Sequence, residues 1–279
     1  MTDQTALFQV HKPRTMFGSA LNTLELIFHS TVREIRKGHK NAIVGLLMNM
    51  LQALIFVGAF YLMFTVLGMK RVQLRGDFML YLMSGVFLFM THSKAMSAVF
   101  GSEGSTSAML KHAPLNTIIL ITAAALASLY TQVMSLAVIL FIYHVMGNPV
   151  VIDQPVGAAA MFLLAWFSGI GVGIIFMSIK PWFPDFASVA QTVYARANMI
   201  ASGKMFVANA TPGYILALFD WNPLFHCIDQ ERGFVFGNYF PHHSSISYPI
   251  YVSLTCIVIG MMAEFFTRRH ASESWNAAR

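Results

Sequence analysis

Apolar and polar positions along this chain fall into long blocks. Uncharged stretches cover 41–69, 112–152, 154–179 and 233–263, and the charged residues gather between them. A hydrocarbon layer of about 30 Å is crossed by about 20 helical residues, so each stretch is long enough to span it. The pattern predicts spanning helices over 41–67, 78–100, 116–146, 154–179, 186–207 and 247–266. Breaks between them have local causes. Gly147, Asn148 and Pro149 stop the third helix, because proline cannot donate to a helical ladder. The turn 180–185 places Trp182 where an indole favours a membrane interface.

Two segments do not read as spans. Over 15–37, Phe17, Leu21, Leu24, Phe28, Val32 and Ile35 recur at steps of three and four, with Asn22, Glu25, His29, Arg33, Arg36 and Lys37 largely opposite. That is the pattern of a helix lying in the headgroup plane. It serves either as a plain anchor or as an anchor that also touches a cytosolic partner. The stretch 208–246, with Pro212, Gly213, Pro223 and Gly233 among many aromatics, suits short re-entrant helices. The expected fold is therefore an all-α membrane protein: six transmembrane helices, an N-terminal amphipathic interfacial helix, and re-entrant helices between helices five and six. Residues 1–40 form a tail with the interfacial helix, 41–268 the permease domain, and 269–279 a second tail.

Composition sharpens this. Hydrophobic residues make up 56% of the chain and charged residues 11%, against roughly 25% charged in soluble domains. The net charge of +6 sits mainly beside the apolar runs, where it orients a membrane protein and attracts anionic lipid. No nucleic-acid partner is expected. Six Lys and Arg precede the first span, and Lys94, Lys111, Lys180, Arg268, Arg269 and Arg279 share its side, which predicts both termini in the cytosol. Cys227, expected in a loop, and Cys256, inside a helix, are not expected to pair. No removed signal peptide is expected.

Arg196 is the sharpest single residue. If the fifth helix starts at Phe186, Arg196 lies about 15 Å along it, near mid-membrane, where an ionisable group is a functional candidate. Lys204, eight positions on, falls on the same broad stripe. Together they suggest a cationic lane for an anionic substrate; a buried pair with a carboxylate from another helix, or a position nearer an interface, stays open. Phe56, Phe60 and Phe64, with Tyr61 beside them, form an aromatic stripe suited to packing or to stacking on sugar rings. Gly169, Gly171 and Gly173 indicate close helix packing, within one subunit or between two. No phosphate-binding loop, His-Glu-x-x-His or Cys-x-x-Cys occurs, and the scattered His92, His112, His144, His226, His242 and His243 lack ligand spacing. Neither a metal site nor a catalytic residue is expected. Asn209-Ala210-Thr211 matches a glycosylation sequon by pattern alone.

The stretch "SGKMF" at Ser202, then Pro212, then "WNPLFHCIDQERGFVFGNY" resembles the membrane subunit of type-2 ABC exporters, within them the permeases for capsular polysaccharide and O-antigen. The matching positions are Ser202 and Gly203; Asn222, Pro223 and Leu224 with His226; Asp229 with Arg232; and Tyr239. "MLKHAPLNTIIL" at 109–120 and "FPDF" at 183–186 resemble the family's segments before its third and fifth helices. Asp229 stands where the family more often has Glu, and 101–107 is unusually rich in Gly and Ser. Spacing alone lets Asp229 and Arg232 pair on one helix face and suits Asn222-Pro223 to a helix start, bracing a re-entrant hairpin or touching substrate.

The resemblance implies a permease in the bacterial inner membrane, not itself an enzyme, working as a homodimer with two copies of an ATP-binding cassette subunit that holds ATP and Mg. It implies a polysaccharide cargo, acidic or lipid-linked, with periplasmic export proteins beyond. Coupling to the ATPase would fall on Arg33, Glu34 and Arg36 and on the loop with Glu103, Lys111 and His112. The substrate pathway would use Phe56, Phe60, Tyr61, Phe64, Arg196 and Lys204, and the re-entrant hairpin Asn222, Pro223, His226, Asp229 and Arg232. Two other readings remain: a type-2 exporter of a small molecule or lipid, and an intramembrane enzyme using Asp229 or Glu231 as a base.

Overall fold

A computed structural model describes residues 16–37, 42–66, 68, 76–102, 116–147 and 149–270. Among these, the long regular elements are all helices: α1 (Met16–Lys37), α2 (Ala42–Val66), α3 (Phe78–Phe100), α4 (Thr117–Val145), α5 (Pro155–Ile179), α6 (Pro184–Ala201), α7 (Gly213–Leu216), α8 (Pro223–Val235) and α9 (Ser247–His270). The coupling candidates Glu103, Lys111 and His112 lie outside the described residues.

Four helices, α2, α4, α5 and α9, are long and apolar enough to cross a membrane. That fits a membrane location, but six such helices were expected. The two that fall short do so for different reasons. α3 has the length, yet Ser84, Thr91, His92, Ser93, Lys94 and Ser97 dilute its apolar content. Protein covers it instead: every residue from Leu80 to His92 is buried, with α2, α4, α5, α6 and α8 packed around it. α6 is both polar and short. It carries Asp185, Gln191, Arg196 and Asn198 and ends at Ala201, six residues before the expected end.

The early stop has a backbone cause. Ser202 caps α6, and Gly203 then adopts φ +72°, the left-handed conformation that commonly ends helices and that glycine adopts without steric cost. A Cβ there would lie 2.6 Å from the Phe225 ring. Lys204 consequently leaves the helix and turns inward.

α5 is the second structural axis, packed between α3 and α9. Gly169 and Gly173 face α3 so closely that added Cβ atoms would meet the His92 carbonyl at 2.3 Å and the Met96 carbonyl at 2.8 Å. Gly171 faces Ser253 and Cys256 of α9. The glycine pattern thus packs helices within one chain.

α1 shows its expected stripe, divided in two. Phe17, Leu21, Leu24 and Phe28 are exposed, whereas Val32 and Ile35 are half-buried, because the last turns of α1 lie closest to the rest of the chain. Between α6 and α9 the chain makes a short 3₁₀ turn (Ala208–Ala210) and the two short helices α7 and α8, as the proline and glycine spacing predicts. Cys227 is buried within α8 rather than placed in a loop, and both cysteines are free.

Candidate functional site

α8 starts where Asn222-Pro223 indicates. The Asn222 side chain accepts from Leu224 N at 3.0 Å, and Pro223 fills the first helical position, where its missing N–H costs nothing. Asn222 Nδ2 also donates to Asn198 Oδ1 (2.7 Å) and to the Ala201 carbonyl (2.9 Å), fastening α8 to the end of α6. At the far end of α8, the N–H groups of Asp153 and Gln154 donate to the carbonyls of Val235 and Phe234. α8 therefore bridges α6 and the start of α5.

Arg232 is central to this bridge and 1% exposed. Its guanidinium donates to the carbonyls of Gly203 (3.1 Å), Lys204 (2.7 Å) and Phe206 (2.7 Å), and its Cζ lies 4.3 Å from the centre of the Tyr81 ring. The expected Asp229–Arg232 ion pair does not form. Asp229 instead accepts from the Tyr239 hydroxyl and from Ser244 Oγ (2.7 Å). The planar fork of arginine suits three carbonyls turned inward where the helix breaks, while the carboxylate is occupied by the hydroxyl donors of Tyr239 and Ser244. His226 does similar work: Nδ1 accepts from Ser245 N at 3.1 Å, and Nε2 donates to the Asp220 carbonyl at 2.7 Å. That tautomer follows because a backbone N–H only donates and a carbonyl only accepts.

Lys204 lies in an aromatic box. Its Nζ sits 3.5 Å from the centre of the Phe89 ring, 5.3 Å from Phe60 and 5.5 Å from Phe56, and donates to the Met199 carbonyl at 2.7 Å. Ring quadrupoles attract a cation placed over them. Lys204 is 1% exposed and Phe60 and Phe64 are buried in the same core, so this aromatic group packs around a lysine of its own chain. Tyr61 and Phe64 instead contact Phe78, at 6.0 and 5.7 Å between ring centres.

Arg196 does not share a stripe with Lys204, as a continuous helix through residue 204 would require. It is exposed on the outward side of α6, together with Val189, Thr192, Val193, Ala197 and Ile200, at about 18 Å from the start of that helix. A second polar patch lies on the neighbouring helices. Lys94 Nζ donates to Gln52 Oε1 of α2 at 2.6 Å, and Gln191 of α6 donates to Ser97 of α3 at 2.9 Å. In the sequence Lys94 counts only toward the cytosolic side, and its role in joining α3 to α2 is seen in the fold. The available signal was its company, Ser93 and Ser97 on the same helix.

His92, without ligand spacing in the sequence, has partners on two other helices. Its Nδ1 lies 2.8 Å from Ser168 Oγ of α5 and its Nε2 3.2 Å from the Tyr194 hydroxyl of α6. A serine beside a histidine is the pairing of an activated nucleophile. Here Ser168 donates to the Ala165 carbonyl, and the two residues are 1% and 0% exposed, so the group serves as a three-helix clamp. Arg33 and Glu34 lie near the end of α1, 3.9 Å apart, and Arg36 is exposed one turn on. Among the described residues no group of three or more His, Cys, Asp or Glu is placed to hold a metal.

Compared with known proteins, the chain matches no family model and no curated relative.

Proposed function

We propose that this chain is the membrane subunit of an ATP-driven exporter, acting as a pair of identical copies with a separate ATP-binding subunit, and that it passes an acidic or lipid-linked glycan outward across a bacterial inner membrane. Arg196 carries the reading. An uncompensated charge on a lipid-facing helix is costly, roughly 2.5 to 3.5 kcal/mol at the helix centre on insertion scales, yet Arg196 lies about two-thirds of the way along α6 on a face its own chain leaves uncovered. A second copy across an aqueous passage removes that cost and supplies a use for the cation. The chain carries no phosphate loop, so this reading assigns ATP and Mg to the partner. The last turn of α1, with Arg33, Glu34 and Arg36, is the contact that partner would press, with both termini in the cytosol. α8 and its Arg232 network brace the opposite end, where export proteins would meet the cargo.

One observation favours a second reading, export of a small molecule or lipid by the same architecture. Lys204, Phe60 and Phe64 are withdrawn into the core with Phe56 packed against it, which leaves the outward face of α6 with one cation instead of a lane.

The test is transport by proteoliposomes containing the chain and its ATPase. Arg196→Gln is expected to abolish movement of an acidic glycan while leaving expression and pairing intact. Unchanged export of that glycan would refute the reading. Export of a neutral small molecule by both forms would establish the second.

A further inference from the structure

We propose that α1 seats acidic phospholipid, with its exposed apolar stripe among the acyl chains and the cations of its last two turns around the headgroup phosphate. This inference goes beyond the transport reading, and because Arg36 falls in the turn assigned there to the ATPase, it is tested without that partner.

α1 has three distinct sides. Phe17, Leu21, Leu24 and Phe28 are 75%, 50%, 61% and 64% exposed and share one side. Ser30 is buried, and Ile27, Thr31 and Glu34 are half-buried, on the side turned toward the protein. The third side holds His29, Arg33, Arg36 and Lys37, which with Val32 line an open cavity of about 570 Å³. Helices with an apolar side and flanking cations settle at the boundary of headgroups and acyl chains, drawn by buried apolar area and by anionic lipid.

Charge selects the lipid. Glu34 lies 3.9 Å from Arg33 and 3.5 Å from Lys37, and Glu25 lies 3.7 Å from His29, so the carboxylates offset part of the positive field. Arg33, Arg36 and Lys37 against Glu34 still leave the last turns cationic. A zwitterionic headgroup offsets its phosphate with its own cation and brings no net charge to this cavity, whereas an acidic phospholipid brings an uncompensated phosphate that the exposed Arg36 guanidinium can engage with two N–H donors. The adjacent uncovered stripe calls for acyl chains beside that phosphate, which a free anion lacks.

The purified full chain in neutral detergent, without any ATPase, is titrated with phosphatidylglycerol or with phosphatidylcholine of the same acyl chains, and retained lipid is counted by native mass spectrometry. Wild type should retain phosphatidylglycerol preferentially. Arg36→Gln should weaken that retention about five-fold, and the double change with Lys37→Gln about 25-fold, since each cation near an anionic surface contributes a similar factor. Phosphatidylcholine should be unaffected by either. Leu21→Ser with Leu24→Ser should lower retention of both lipids. Equal retention of the two lipids by wild type overturns the proposal, as does a double variant that behaves like wild type. A larger loss from Arg268→Gln with Arg269→Gln would move the site to α9, and displacement of phosphatidylglycerol by equimolar inorganic phosphate would make it a simple anion site; either result overturns the assignment. Because both Arg36 and Lys37 are exposed, their substitution leaves the fold in place. Failure of transport has no bearing on this assay.

Discussion

Asn222, in the cap of α8, donates a 2.7 Å hydrogen bond to the side-chain oxygen of Asn198 on α6. Both residues are buried, and Asn222 also caps its own helix and holds the Ala201 carbonyl. One amide therefore sets the distance between two helices and the starting point of one of them. Asn222→Ala should cost about 2 to 4 kcal/mol, combining loss of a cap with two buried groups left unpaired. Asn222→Asp should cost at least as much, because it keeps the acceptor that caps α8 but sets a buried carboxylate oxygen against the Asn198 and Ala201 oxygens. Thermal unfolding in detergent, read by helical circular dichroism, gives the order.

Arg232→Lys should behave as a severe substitution despite conserving charge. The guanidinium reaches three carbonyls at once and covers the Tyr81 ring, and a single compact ammonium cannot match that planar fork. A loss of about 3 kcal/mol or more is expected, from carbonyls left without donors in a buried site. Yield of monodisperse protein on size exclusion, beside a melting curve, measures it.

Gly203→Ala should disturb the same region through the backbone. The positive φ and the Phe225 ring 2.6 Å from the would-be Cβ both oppose a side chain, so a loss of about 1 to 3 kcal/mol is expected. Protease sensitivity of the segment after α6 should rise in parallel. A melting temperature unchanged from wild type would show that α6 can end without this turn.

Lys204→Met separates packing from charge. Methionine has a similar length and packs well against rings, and replacing a buried charge with an apolar group is often neutral or stabilising. The variant should therefore melt within about 1 kcal/mol of wild type or above it. Lys204→Glu should fail to fold, because it places a carboxylate against the negative faces of Phe56, Phe60 and Phe89.

Much of this architecture was legible in the sequence. The expected 78–100 helix matches α3 at both ends, and α2, α4 and α5 agree within a residue, because Gly, Pro and charged residues mark the boundaries of long apolar runs. The fifth helix was misjudged by six residues at its end. Ser202-Gly203 was read as part of a resemblance, whereas its physical meaning is a stop: an αL glycine ends the helix and turns Lys204 inward. From that error followed the misplaced stripe of Arg196 and Lys204. The Asp229–Arg232 pair failed for a different reason. Spacing of three shows which side chains can meet, but the broken helix supplies competing carbonyls from residues 203–206 and the returning chain supplies the hydroxyls of Tyr239 and Ser244, contacts that only the tertiary fold brings together.

The Gly169 and Gly173 contact has one more consequence. With backbone lying against backbone between α3 and α5, Ala95 and Val99 packed with Ile170, Ile174 and Met177, and the His92–Ser168 bond pinning the same seam, these two helices form a single stiff stave. Any rocking of the molecule then has that stave as its fixed post.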